Sequence, residues 1–215
     1  MNFGSMIQQV AISILPVLFA ITMPEAARAF VARKCGDNSA YAAGRMTLNP
    51  TPHIDPIGTV LLPLVSIFAG GMLFGWAKPL PLDFRAFKLR SDYVKVFAAG
   101  PLANIALAFF WGFVFKLATM MPETSYTIPM AAMAEAGIKI SASLAVFMLL
   151  PIPPLDGGRI AVALLPQRYA SALASIEPYA FIVLMLLIMT KLLSALMLPF
   201  VILIVQVVVL IFGLR

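Results

Sequence analysis

Glu25, in the stretch "MPEAARAF", occupies the centre of a frame with a recognisable chemistry. When histidines stand one residue before and three residues after such a glutamate, both imidazoles share a helix face. They can then hold zinc while the glutamate acts as base on a metal-bound water. Here those two positions are Pro24 and Arg28. Proline has no side-chain donor atom, and arginine keeps its proton and cannot ligate. The residues therefore read in two ways: a metal site whose histidines are gone, or an apolar helix carrying an ordinary i,i+3 Glu–Arg pair. Three other places carry polar groups that need a role: Asn104 in "GPLAN", Asp156 ahead of Gly157 and Gly158 in "LDGG", and the loop "GRMTLNPTPHIDPIGT" with the chain's single histidine, His53.

The elements that position these residues belong to a membrane protein. Hydrophobic residues make up 62% of the chain and charged residues 11%, with mean hydropathy +0.99. Soluble domains run at about 45–50% apolar and about 25% charged. Polar side chains inside a membrane domain are costly and point to function by default. The formal net charge of +6 is then a topological signal marking cytoplasmic loops, and nucleic acid is excluded as a partner. The N-terminus lacks a basic n-region, so no cleavable signal peptide is expected. Cys35, the only cysteine, has no internal partner for a disulfide and reads as an ordinary thiol.

A first span is expected from Ile7 to Ala32, with Pro16 and Pro24 inside it. Cys35 to Thr59, rich in Gly, Pro, Asn and Asp, reads as turns and short extended pieces. A second apolar run, Ile57 to Trp76, contains Pro63, Gly70 and Gly71. The basic stretch Lys78–Lys95 follows and is placed in the cytoplasm. Because Arg28, Arg33 and Lys34 put the end of the first helix on that same side, Ile57–Trp76 must re-enter or Cys35–Pro56 must pass through the interior. Further spans are expected at Val96–Met121 and Met130–Leu150, joined by an outward loop holding Glu123. The apolar stretch Tyr179–Leu214 exceeds one crossing at 1.5 Å per residue. It is expected to split near Ala195–Pro199, with Lys191 snorkelling or packed inside. The expectation is an all-α bundle of about five to six transmembrane helices with a membrane-associated hairpin or re-entrant loop, forming one domain over residues 1–215.

Taken in order, "PEAAR", "GRMTLNPTPHIDPIGT", "FGWAKPLPL", "GPLAN" and "PIPPLDGG" resemble the site-2 protease family of intramembrane zinc metalloproteases, in its short bacterial branch. The resemblance spans Pro24 to Gly158 and implies an integral protein of the bacterial cytoplasmic (inner) membrane. In that family two histidines and the aspartate of "LDGG" hold zinc. Carried over, the glutamate is Glu25 and the third ligand Asp156, both vestigial here, while Pro24 and Arg28 stand at the lost histidine positions. Met148 also stands where the family usually has an asparagine. Asn104, Asp156 and Gly157 fall in the former substrate groove.

Neither a zinc cofactor nor peptide hydrolysis is expected from this residue set. The favoured function is a pseudoprotease that binds a partner's transmembrane segment or serves as a subunit of a membrane complex, surrounded by membrane lipid. One alternative is an active intramembrane zinc metalloprotease with an unconventional metal site; another is a structural or transport membrane protein. Two carboxylates deprived of a divalent cation need a counter-charge, so Arg28 is expected in a salt bridge with Glu25, Asp156 or both. His53 is expected to bond to nearby backbone, and Asn104 to bond between helices.

Overall fold

The computed structural model describes residues 3–62, 64–65 and 77–214. It is an all-helical membrane bundle, with no strand among the described residues. Among the described residues four helices are long and apolar enough to cross a bilayer, and a bent pair towards the C-terminus would make a fifth.

α1 (Phe3–Lys34) carries both Pro16 and Pro24 in its interior and closes on Arg33 and Lys34. Proline removes a backbone hydrogen bond, which membrane helices tolerate when neighbours pack around the break; both prolines are fully buried. The connecting segment is not wholly extended: α2 (Ser39–Ala42) and a 3-10 turn at Thr51–His53 interrupt it. Asp55 then caps a π-helical turn, Pro56–Leu61, by accepting from the Ile57 and Gly58 amides. The expected re-entry of Ile57–Trp76 lies largely outside the described residues.

α3 (Arg90–Met120) begins six residues earlier than expected, because the charged turn Arg90–Lys95 is helical. Asp92 accepts from the Leu89 amide and pairs with Lys95, so the charge run stabilises a helix start. α4 (Thr127–Met148) returns antiparallel. Trp111 of α3 lies against Gly137 of α4, where a Cβ would come within 2.4 Å of the indole. Trp111, Ala108, Ala134 and Ile138 form a buried core that Val208 closes from the last helix.

α5 (Asp156–Leu164) and α6 (Gln167–Ala174) are short. α7 (Ala180–Met189) and α8 (Leu192–Phe212) complete the chain. The expected split near Ala195–Pro199 is corrected: α8 runs straight through Pro199, and the break falls at Lys191, which adopts φ 57° and is exposed. Leu193 and Met197 of α8 pack on Val146 and Leu150.

Candidate functional site: an arginine between two carboxylates

Three helices converge on Arg28. It sits on α1 roughly 9 Å before Lys34 at 1.5 Å rise per residue. Its Nη1 donates to Oε1 of Glu25, one turn back on the same helix. Its Nη2 donates to Oδ2 of Asp156 at 2.5 Å. Side-chain exposure is 12% for Arg28, 14% for Glu25 and 6% for Asp156, so the three charges are largely removed from water. The planar fork lets one guanidinium serve two carboxylates at once.

α3 supplies the floor. A Cβ on Gly100 would lie 2.8 Å from Nη2, 2.9 Å from Nε and 3.0 Å from Asp156 Oδ2, so an added methyl would force the pair to shift. Asp156 is held by backbone packing. A Cβ on Gly157 would meet the Leu149 carbonyl oxygen at 2.0 Å, and one on Gly158 would meet the Pro153 nitrogen at 2.2 Å. These glycines let the first turn of α5 seat directly on the backbone of the preceding segment.

The cluster opens onto a cleft of about 530 Å³ walled by Ala20, Ile21, Phe147, Met148 and the strap Ala77–Leu82. Arg159 also lines it, reaching Glu177 at 3.6 Å and lying over the Phe97 ring. Pro24 is fully buried and lies off the cleft lining. Asn104 is buried between α3 and α4, donating through Nδ2 to the Met148 sulfur at 3.4 Å. Its Oδ1 has no partner among the described residues. The structure thus brings Glu25, Arg28 and Asp156 together, with Asn104 behind the cleft wall and Gly157 beneath the Leu149 backbone.

A second buried arginine, absent from the sequence-based candidates, fixes the strap. Arg45 is 6% exposed and donates to the carbonyls of Lys78 (2.7 Å) and Pro79 (3.5 Å). Its Nη2 also lies 3.4 Å from His53 Nδ1. His53, 1% exposed, uses Nε2 towards the Thr47 carbonyl at 3.1 Å. Nδ1 therefore accepts and Nε2 carries the proton, which is the neutral tautomer. Burial, with Arg45 adding to it, pushes the imidazole pKa down against the opposing Thr47 contact. Asp37 anchors the far end of the strap by accepting from the Asp83 amide at 2.9 Å. The signal for Arg45 was a cation in a Gly- and Pro-rich segment between apolar runs.

Zinc does not fit this residue set. A structural or catalytic zinc needs at least three N, S or O donors from the protein, and no group of three His, Cys, Asp or Glu is gathered among the described residues. The cationic guanidinium lies where a divalent ion would have to sit, between the carboxylates of Glu25 and Asp156.

No protein-family model and no solved structure matches the chain. Among curated proteins it is 38% identical over 195 residues to "Putative zinc metalloprotease YwhC" of Bacillus subtilis (strain 168), covering 86% of this chain and 84% of that one. It is 30% identical over 179 residues to "Putative zinc metalloprotease Rip2" of Mycolicibacterium smegmatis, covering 82% of this chain and 66% of the relative. The likeness to YwhC runs over most of both proteins, and the chain belongs to the site-2 protease-like family of membrane proteins.

Proposed function

We propose that this chain is a non-catalytic member of that family, a pseudoprotease whose cleft receives a transmembrane segment of a partner protein. It resides in the cytoplasmic membrane of a bacterium, with its basic end inside. The observation that carries the reading is the Arg28 guanidinium bridging Glu25 and Asp156. It neutralises the carboxylates that a metal would otherwise require, and leaves Glu25 with no metal-bound water to deprotonate. Glu25 and Asp156 become structural anchors, while the cleft beside them keeps an apolar wall suited to a helix.

Elemental analysis of the purified protein beside a relative that retains both histidines tests this directly. The expected result is zinc far below one equivalent, together with no cleavage of a reconstituted transmembrane substrate. One equivalent of zinc lost on Asp156→Ala, or cleavage abolished by Glu25→Gln, overturns the reading.

A further inference from the structure

A second cleft, of about 420 Å³, lies at the basic end of the bundle between the segment leading into α3 and the faces of α5 and α6. Its rim carries Lys88 and Arg90, and no acidic residue lines it. Among the described residues neither cation has an ion pair. The nearby carboxylates are already engaged: Asp92 caps the Leu89 amide and pairs with Lys95, Asp83 caps the Arg85 amide, and Glu177 faces Arg159. The floor is mainly apolar and aromatic, built from Phe87, Tyr93, Val162, Leu165 and Ala174, with Gln167 and Ser171 as its polar members.

The position of this cleft decides what fills it. Arg90 opens the membrane-crossing helix α3, whose 31 residues reach about 46 Å at 1.5 Å rise and outrun a hydrocarbon core of about 30 Å, so its charged first turn, Arg90–Lys95, stands at headgroup level. Leu89 and Leu164 are 62% and 66% exposed at the same end, as residues dipping into lipid would be. An occupant must present an anion to two free cations while laying an apolar body along the floor, at headgroup depth. We infer that this cleft binds an anionic phospholipid, its phosphate between Lys88 and Arg90 and its glycerol and upper acyl chain against α5 and α6. A free phosphate would leave the floor uncovered, and a zwitterionic lipid would bring its own cation to the rim.

The test uses the full chain in nanodiscs of equal phosphatidylcholine and phosphatidylglycerol, released and weighed by native mass spectrometry. Wild-type protein is expected to retain phosphatidylglycerol in preference. Lys88→Gln with Arg90→Gln should cut that preference roughly 25-fold, at about fivefold per cation. Arg85→Gln, whose side chain lies off the cleft and holds no carboxylate among the described residues, should leave it unchanged. Ala174→Trp, which fills the floor and keeps both cations, should also abolish it. Equal retention of the two lipids by the wild type, as an acidic-peptide site would show, overturns the inference. So does a loss with Arg85→Gln as large as with the double variant, or full retention by Ala174→Trp.

Discussion

Arg28 and Arg45 both give up most of their contact with water, and their terminal nitrogens are met by opposite means. Arg28 meets two carboxylates, one on its own helix and one on α5. Arg45 meets two backbone carbonyls and a neutral imidazole in a loop. Removing a partner from the first arrangement strands a charge in a poorly solvated place; removing one from the second leaves only unmade hydrogen bonds. The first cluster locks helices together across the bundle. The second shapes one wall of the cleft by holding the strap Ala77–Leu82. Stability should therefore be concentrated at Arg28, and mobility of the cleft wall should be governed from Arg45.

The sharpest way to break this contrast is Arg28→Ala. Loss of one member of a buried charge network costs about 3–5 kcal/mol, mostly from the charges left behind. A large fall in thermal stability in detergent is expected, and the triple change Glu25→Gln, Arg28→Met, Asp156→Asn should recover most of it. An equal loss in the triple variant would place the effect in packing instead of charge.

Gly100→Ala probes the same cluster without touching a charge. Its methyl would collide with the guanidinium and with Asp156, an overpacking that costs about 1–3 kcal/mol. Arg28→Met in the same background should relieve the steric part. A Gly100→Ala protein as stable as the wild type would show that the guanidinium has room to move.

The smallest effect belongs to the loop cluster and depends on pH. The His53 pKa is lowered on folding, so the unfolded segment binds a proton that the folded one refuses. Its contribution is complete above the unfolded value of about 6.5 and is lost as pH falls below it, by at most about 1.4 kcal/mol per pH unit. Protection of the Lys78 and Asp83 amides against hydrogen exchange should fall between pH 7 and pH 5.5, and His53→Gln should flatten the slope. Unchanged protection across that range would detach His53 from the strap.

The parts of this molecule legible in the sequence are those marked by side-chain type. α1 was visible as an apolar run, and Glu25, Arg28 and Asp156 stood out as charges in apolar surroundings. The start of α3 was hidden because Arg90–Lys95 looks like a solvated loop, whereas these charges cap a helix whose apolar part begins later. The break before α8 was sought at Pro199, although membrane helices absorb proline. The polar pair Thr190–Lys191 was the better marker. Arg45 escaped notice because its partners are carbonyls 33 and 34 residues away, and carbonyls carry no signature in a sequence.

The seating of Gly157 and Gly158 on the Leu149–Pro153 backbone also bears on the entropy of the ion pair. A salt bridge normally requires both side chains to surrender their rotamers. Here the aspartate is short and the glycines after it are clamped by contacts that admit no Cβ, so its backbone is fixed before any ion arrives and only two side-chain torsions remain. On the other side Gly100 narrows the space open to the guanidinium. The ordering loss falls almost wholly on the single long chain of Arg28, about 2 kcal/mol for an arginine. A pocket preorganised in this way can accept a new cation through one residue change, without any adjustment of the turn that presents the carboxylate.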